Sequence, residues 1–194
     1  MKQEKSTRCL DHLKFDPIFL EEVLAGRKLS TVRLGKAKYI PGSEVYLVCR
    51  NLVYGVLVIE GVEEKKVGEL KEQDAVRDGF KNLEELLKFL FMLYPNLDLD
   101  STVSIIKFKL KKRYSEPVPL FYARLYGQKD TREAAQEILA SGVRLKEYDK
   151  KILETVARQG IYTAKRKFGT DFSTIHGIIK KYWQRIKGTC SKKL

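Results

Sequence analysis

Apolar positions recur with two different periods along this chain, and the change falls near Pro117 and Pro119. Before it, short helical stretches alternate with strands. Residues 15–24 read as a helix on which Ile18, Val23 and Leu24 share a face, with Asp16 as N-cap and Pro17 at the first helical position. Gly26 then permits the left-handed turn that ends it. After Pro41-Gly42, residues 44–49 and 54–60 are rich in β-branched and aromatic side chains and predict strands joined at Arg50-Asn51. Residues 71–78 and 83–93 have helical spacing, separated by Gly79-Phe80 and stopped at Tyr94-Pro95, where the residue before proline is driven from the helical region. Residues 102–110 alternate, predicting a strand with Val103, Ile105 and Phe108 at the core. The first dozen residues lack periodicity and are expected to fray.

Beyond SEPVPL the pattern is helical throughout: 131–140, capped by Asp130 or Thr131 and ended at Gly142, then 146–159, 161–168 and 172–187. Taking Gly169 as a tight-turn glycine makes the last helices similar to a helix-turn-helix. Ala164 and Phe168 precede the turn, Ile175 and Ile178 follow it, and Ile152, Leu153 and Val156 supply a third wall. Lys165 departs from this pattern, standing where a small residue is usual. Thr170 or Asp171 can cap the last helix. With Ile175 and Ile178 inward, Ser173, Thr174, His176, Gly177, Lys180, Lys181 and Gln184 face outward or flank, and Arg185 and Lys187 follow. Polar groups near a helix start can read base edges while cations hold phosphates.

Charge strengthens that expectation. The 194 residues carry a formal net charge of +13, and residues 142–194 alone hold 14 Lys/Arg against 4 Asp/Glu, a net of +10, against +3 for residues 1–141. A local excess points to an anionic partner, RNA or DNA, better than a uniform solubility charge does. No apolar run approaches the roughly 18 residues of a membrane span, and no leader is apparent, so a soluble cytoplasmic protein without membrane association is expected. Cys9, Cys49 and Cys190 are too scattered for a zinc knuckle or disulfide framework, and Cys49 falls in an expected core strand. The two histidines, His12 and His176, lie in different halves, so neither a metal site nor a cofactor is expected. Abundant Lys and Glu with few Cys and Met lean towards a heat-adapted source.

The segment Gly26-Arg27-Lys28-Leu29-Ser30-Thr31-Val32-Arg33 places three cations and two hydroxyls within seven residues. If extended, it points Lys28, Ser30 and Val32 one way and Leu29, Thr31 and Arg33 the other. A turn could instead gather Lys28, Thr31 and Arg33 around a cavity suited to phosphate or carbonyl oxygens. Gly26, Lys28, Thr31 and Arg33 match G-x-K-x-x-T-x-R, followed in order by the Pro41-Gly42 strand entry, Asp78-Gly79-Phe80, Glu84-Glu85-Leu86, Tyr94-Pro95 and Ile106-Lys107-Phe108. Residues 13–110 thereby resemble the ASCH domain family, half of the chain in collinear order. The resemblance implies a PUA-like β-barrel with helices guarding a cleft that Lys28, Thr31 and Arg33 line. Some bacterial relatives are amidohydrolases of N4-acetylcytidine that use a Lys and Thr from this signature and a later Glu. Lys28 and Thr31 match the first two, and Asp78, one methylene shorter, stands where the Glu aligns. A threonine hydroxyl needs a base, and a desolvated lysine can be one. Asp78 can equally serve as a turn residue before Gly79.

The expected fold class is therefore α+β: a PUA-like barrel domain over 1–115, a linker over 116–130, and a small basic all-α helix-turn-helix-like domain over 131–194. The expected function is binding of RNA or DNA, with a base, a phosphate or a modified nucleoside in the cleft. The alternatives are a deacylase of N4-acetylcytidine or another RNA-processing enzyme, and a protein-interaction adaptor.

Overall fold

In a computed structural model that describes residues 11–187, a five-stranded sheet and flanking helices form a mixed α+β architecture. The elements run β1 (Asp11–Lys14), α1 (Pro17–Leu24), β2 (Ser30–Leu34), β3 (Glu44–Cys49), β4 (Leu52–Lys66), α2 (Glu72–Asp78), α3 (Leu83–Leu93) and β5 (Thr102–Pro119). Helices α4 (Leu120–Tyr126), α5 (Thr131–Ala140), α6 (Glu147–Gln159), α7 (Ile161–Phe168) and α8 (Phe172–Lys187) follow. The expectations about residues 1–10, with Cys9, and about the basic end from 188, with Cys190, lie outside the described residues. Two compact units emerge: residues 11–50 and 55–113 in one, residues 51–54 and 114–187 in the other.

The sheet order is β1-β3-β4-β5-β2. Parallel pairing sets Asp11 opposite Val45 and Lys14 opposite Val48, while antiparallel pairing sets Ser30 opposite Lys107 and Leu34 opposite Val103. The sheet is open, with β1 and β2 at its edges. Arg50 and Asn51 both take positive φ, 46° and 64°, as the tight turn between β3 and β4 demands. Val32, Val103 and Ile105 meet Leu86 and Leu90 of α3 and Ala75 of α2 in one buried cluster. Ile106 and Phe108, on the other face of β5, are also buried, and Phe108 meets Phe15 edge-on at 5.3 Å. Burial on both faces accounts for the adjacent Ile105 and Ile106, which break the alternation expected for this strand.

Several expectations change here. Residues 11–14 form an edge strand with Leu13 buried, not a frayed end. Ile18 is 66% exposed, because five residues carry it about 140° round the helix from Val23. β4 and β5 run well past 60 and 110 through charged stretches whose exposed faces carry no apolar alternation. The stretch 116–130 holds the end of β5 and the helix α4, with Leu120, Ala123 and Tyr126 buried, in place of a linker. In the helical unit Ile152, Leu153, Val156, Ala164, Ile175 and Ile178 are interior as expected. Phe168 is only half-buried, its ring meeting Tyr148 edge-on at 5.9 Å. Gly169 ends α7 in the left-handed conformation, φ 61°. The Glu116 carboxylate caps the preceding joint, between α6 and α7, accepting the Ile161 N–H at 2.8 Å beside Gly160.

Candidate functional site

Strand β2 is a sheet edge, so half of its backbone groups need partners from elsewhere. The C-terminal end of α2 supplies them. The Arg77 carbonyl accepts the Leu29 N–H at 2.8 Å just before β2, and one Asp78 carboxylate oxygen accepts the Val32 N–H at 2.6 Å. The Lys28 ammonium donates to the other oxygen and to the Asp78 backbone carbonyl. Gly79, in the left-handed conformation with φ 91°, ends α2 and packs against the Lys28 stem. Gly26, at φ 70°, ends α1 and turns the chain into this segment without lining the cavity.

Lys28, Thr31, Arg33 and Asp78 therefore line one cleft of about 400 Å³. Lys28 is 1% exposed and Asp78 3%. Burial, with a smaller push from Arg33, pulls the Lys28 ammonium down to about 7, while contact with the Asp78 carboxylate works against that shift. Its Nζ also lies 4.4 Å from the centre of the Phe19 ring. Among the described residues no hydrogen bond joins Lys28 Nζ to the Thr31 hydroxyl; Asp78 holds the ammonium instead. Arg33 is half-buried and donates from Nη2 to the Lys14 carbonyl at 2.6 Å, joining the two edge strands by a side chain.

One side of this cleft is aromatic, a feature absent from the sequence expectations. Phe19, Phe80 and Phe89 meet one another at 5.3–5.4 Å between ring centres, and each is half-buried. Their sequence signal was ambiguous, because an aromatic at helical spacing reads first as core. A half-buried aromatic wall over a polar floor can stack a planar ring and hydrogen-bond its polar edge.

In the helical unit, α8 keeps Ile175, Ile178, Ile179, Tyr182 and Trp183 inside and leaves Ser173, Thr174, Gly177, Gln184, Arg185 and Lys187 exposed, with Lys180 and Lys181 half-buried. His176 is the correction. It is 3% exposed, stacked on Tyr122 of α4 at 4.2 Å with Nδ1 3.0 Å from the Tyr126 hydroxyl, so it cannot reach a nucleic acid. Burial pulls its pKa down to about 4, which keeps the ring neutral. Helix α4, which covers it, lies just after Pro117 and Pro119, in a stretch with no helical periodicity of its own. Lys181 is paired with Asp149 at 2.9 Å and Lys187 with Glu137.

No helix among the described residues is long and apolar enough to cross a membrane. No protein-family model and no curated protein matches the chain. Among solved structures it is similar to an ASCH domain from Lactobacillus crispatus, at 14% identity over 50% of this chain and 72% of that one, with a TM-score of 0.42. It is also similar to ASCH from Zymomonas mobilis, at 12% identity over 74% of this chain and 92% of that one, with a TM-score of 0.45.

Proposed function

We propose that this chain is a nucleic-acid-binding protein whose sheet unit is an ASCH-like, PUA-type barrel with a cleft for a base or phosphate, and whose helical unit grips the backbone in the manner of a helix-turn-helix. The outward side of α8 carries this reading. Ser173, Thr174 and Gly177 in its first half and Gln184 in its second are exposed along with Arg185, Lys180 and Lys181 are half-buried, and the apolar side chains are turned away. Short polar side chains allow close approach, and cations neutralise phosphates. Two features of the sheet unit support the rest. Arg33 draws its edge strands together, and the cleft pairs an aromatic wall with donors at Lys28 and Arg33.

A hydrolytic reading has one observation in its favour: Lys28 is buried in the same cleft as Thr31, and that burial draws its ammonium down towards neutrality. A base near neutrality could take the Thr31 hydroxyl proton, and N4-acetylcytidine would be its substrate. The hold of Asp78 on Lys28 favours binding over turnover.

Fluorescence anisotropy with labelled RNA and duplex DNA across salt concentrations tests the first reading. Affinity should fall steeply, by about 0.9 log units per log unit of salt for each phosphate neutralised on duplex DNA. A flat salt response, or no binding at low salt, rejects it. Release of acetate from N4-acetylcytidine, abolished by Thr31→Ala, would establish the second reading instead.

A further inference from the structure

A second, smaller recess lies wholly within the helical unit, between the segment leading into α6 and the last turns of α8. Arg144, Lys146, Lys181, Tyr182 and Arg185 line its cavity of about 300 Å³. Its charge is unbalanced. A carboxylate beside it, Asp149, accepts from Lys181 Nζ at 2.9 Å and from the Tyr182 hydroxyl at 2.7 Å, with Lys146 acting on it at longer range, and this single negative charge faces four cations. Arg144, Lys146 and Arg185 form no ion pair among the described residues, whereas most other cations near α8's end have a carboxylate partner, as Lys187 does in Glu137. Three like charges around one recess repel one another, and an anion placed among them removes that cost.

The recess is also built. Tyr182, fully buried, forms its floor, and its hydroxyl accepts the Lys146 N–H at 3.2 Å, tying the incoming segment to α8. The Arg185 guanidinium lies 5.1 Å from the centre of the same ring, held by a cation–π contact with its donors free to point at a ligand. Two guanidiniums and an ammonium suit the three-fold set of oxygens on a phosphate better than the planar pair of a carboxylate.

We propose that Arg144, Lys146 and Arg185, over the Tyr182 ring, form a phosphate-binding pocket. The phosphate comes either from a nucleic-acid backbone or from a free or terminal phosphate group. Only the first source rests on the nucleic-acid reading.

The test uses the full chain and two double variants matched in chemistry. Arg144→Gln/Arg185→Gln removes pocket charge, and Arg158→Gln/Arg166→Gln removes two exposed arginines elsewhere in the unit. Amide chemical shifts are followed on titration with inorganic pyrophosphate, and anisotropy is measured with labelled RNA and duplex DNA. Shifts confined to 144–147 and 181–185, and lost in the pocket variant, are expected. Shifts spread over all basic segments, or absent, overturn the pocket. On nucleic acid, the pocket variant should lose at least about tenfold in affinity and flatten the salt slope by about 1, as for one phosphate no longer neutralised, with the control within about twofold. If pyrophosphate binds as expected while both variants hold nucleic acid equally, the pocket stands with a free or terminal phosphate as its ligand. Absence of any nucleic-acid binding by the unaltered chain defeats the broader reading and leaves the pyrophosphate result to decide this one.

Discussion

The two units treat charge in opposite ways. In the sheet unit the cation at the cleft, Lys28, is taken out of water and paired with Asp78, itself buried. In the helical unit the cations of α8 stay at least partly exposed, Lys181 reaching in to the buried Asp149, and the buried imidazole of His176 is neutral. One rule underlies both: a charge leaves water only if it is paired, and otherwise the group gives up its charge. The consequences for recognition differ. A buried, hydrogen-bonded pair acts at short range and depends on shape, whereas surface cations act over a Debye length of roughly 8–10 Å and weaken with salt. The cleft is suited to choosing a ligand and the helical unit to attracting one.

Removing one member of the buried pair should have the largest effect. Lys28→Met leaves the Asp78 carboxylate in place with only the Val32 N–H as partner, which should cost about 3–5 kcal/mol in urea unfolding. The double variant Lys28→Met/Asp78→Asn should recover most of that, since the amide oxygen still accepts from Val32 and no charge stays buried. A single variant within about 1 kcal/mol of the parent would break the contrast between the units.

His176 tests the other side. Its folded pKa of about 4 lies below the ordinary 6.5, so between those values the unfolded chain takes up the proton that the folded one refuses. Its contribution is complete above about pH 6.5 and is lost as pH falls towards 4, a decline on the order of 3 kcal/mol. His176→Phe keeps the stack on Tyr122 and removes the titration, so the pH dependence of its melting temperature should flatten in that window. Identical profiles for parent and variant would show that the imidazole is not held neutral.

Two glycines compare the backbones of the units. A Cβ on Gly55 would sit 2.2 Å from the Lys112 carbonyl oxygen of β5, and one on Gly160 would sit 2.2 Å from Glu116 Oε1 at φ +89°. Each alanine should cost about 1–3 kcal/mol, but for different reasons. The strand carbonyl cannot yield without parting β4 from β5. The Glu116 carboxylate can swing away, at the loss of its bond to the Ile161 N–H. Glu116→Ala should therefore relieve part of the Gly160→Ala penalty by removing the clash, leaving the backbone strain. No relief in that double variant would place the whole penalty in φ.

Local signals carried the element order far. Asp16-Pro17, Asp130 with Glu133, and the glycines at 26, 79 and 169 each mark a helix end, because caps and left-handed turns need particular residues at particular places. The four polar cleft residues were legible because three lie in one short segment. Long-range pairing left no such trace. Neither the parallel partner of residues 11–14 nor the continuation of β5 into 111–119 can be read from polar stretches whose order comes from neighbours distant in the chain. His176 was misplaced for the same reason: its own helix says which face is polar, but the cover comes from α4, a short helix in a stretch punctuated by prolines. The aromatic wall was hidden by ambiguity, since Phe19 and Phe89 have the spacing of core residues and only the structure shows them half-exposed.

The smallest effect separates stability from binding most cleanly. Gly177 sits in the middle of α8 on its exposed side, and a Cβ there would meet nothing within 4 Å. Nothing within the molecule requires a glycine, and at a mid-helix position it costs about 1 kcal/mol relative to alanine. Gly177→Ala should therefore raise stability by about 0.5–1 kcal/mol, a gain visible as a shift of the urea midpoint at constant m-value. If the outward side of α8 lies against a nucleic-acid backbone, the added methyl stands where that backbone must come closest. Affinity should then fall while stability rises, and the salt slope should stay unchanged because no charge is removed. A gain in stability with unaltered affinity would take Gly177 off the interface and leave the flanking cations to act as a diffuse attractive field. A fall in affinity together with a flattened slope would mean that the methyl had displaced Lys180 or Lys181, the half-buried cations that flank it, and the contact would then be electrostatic rather than steric.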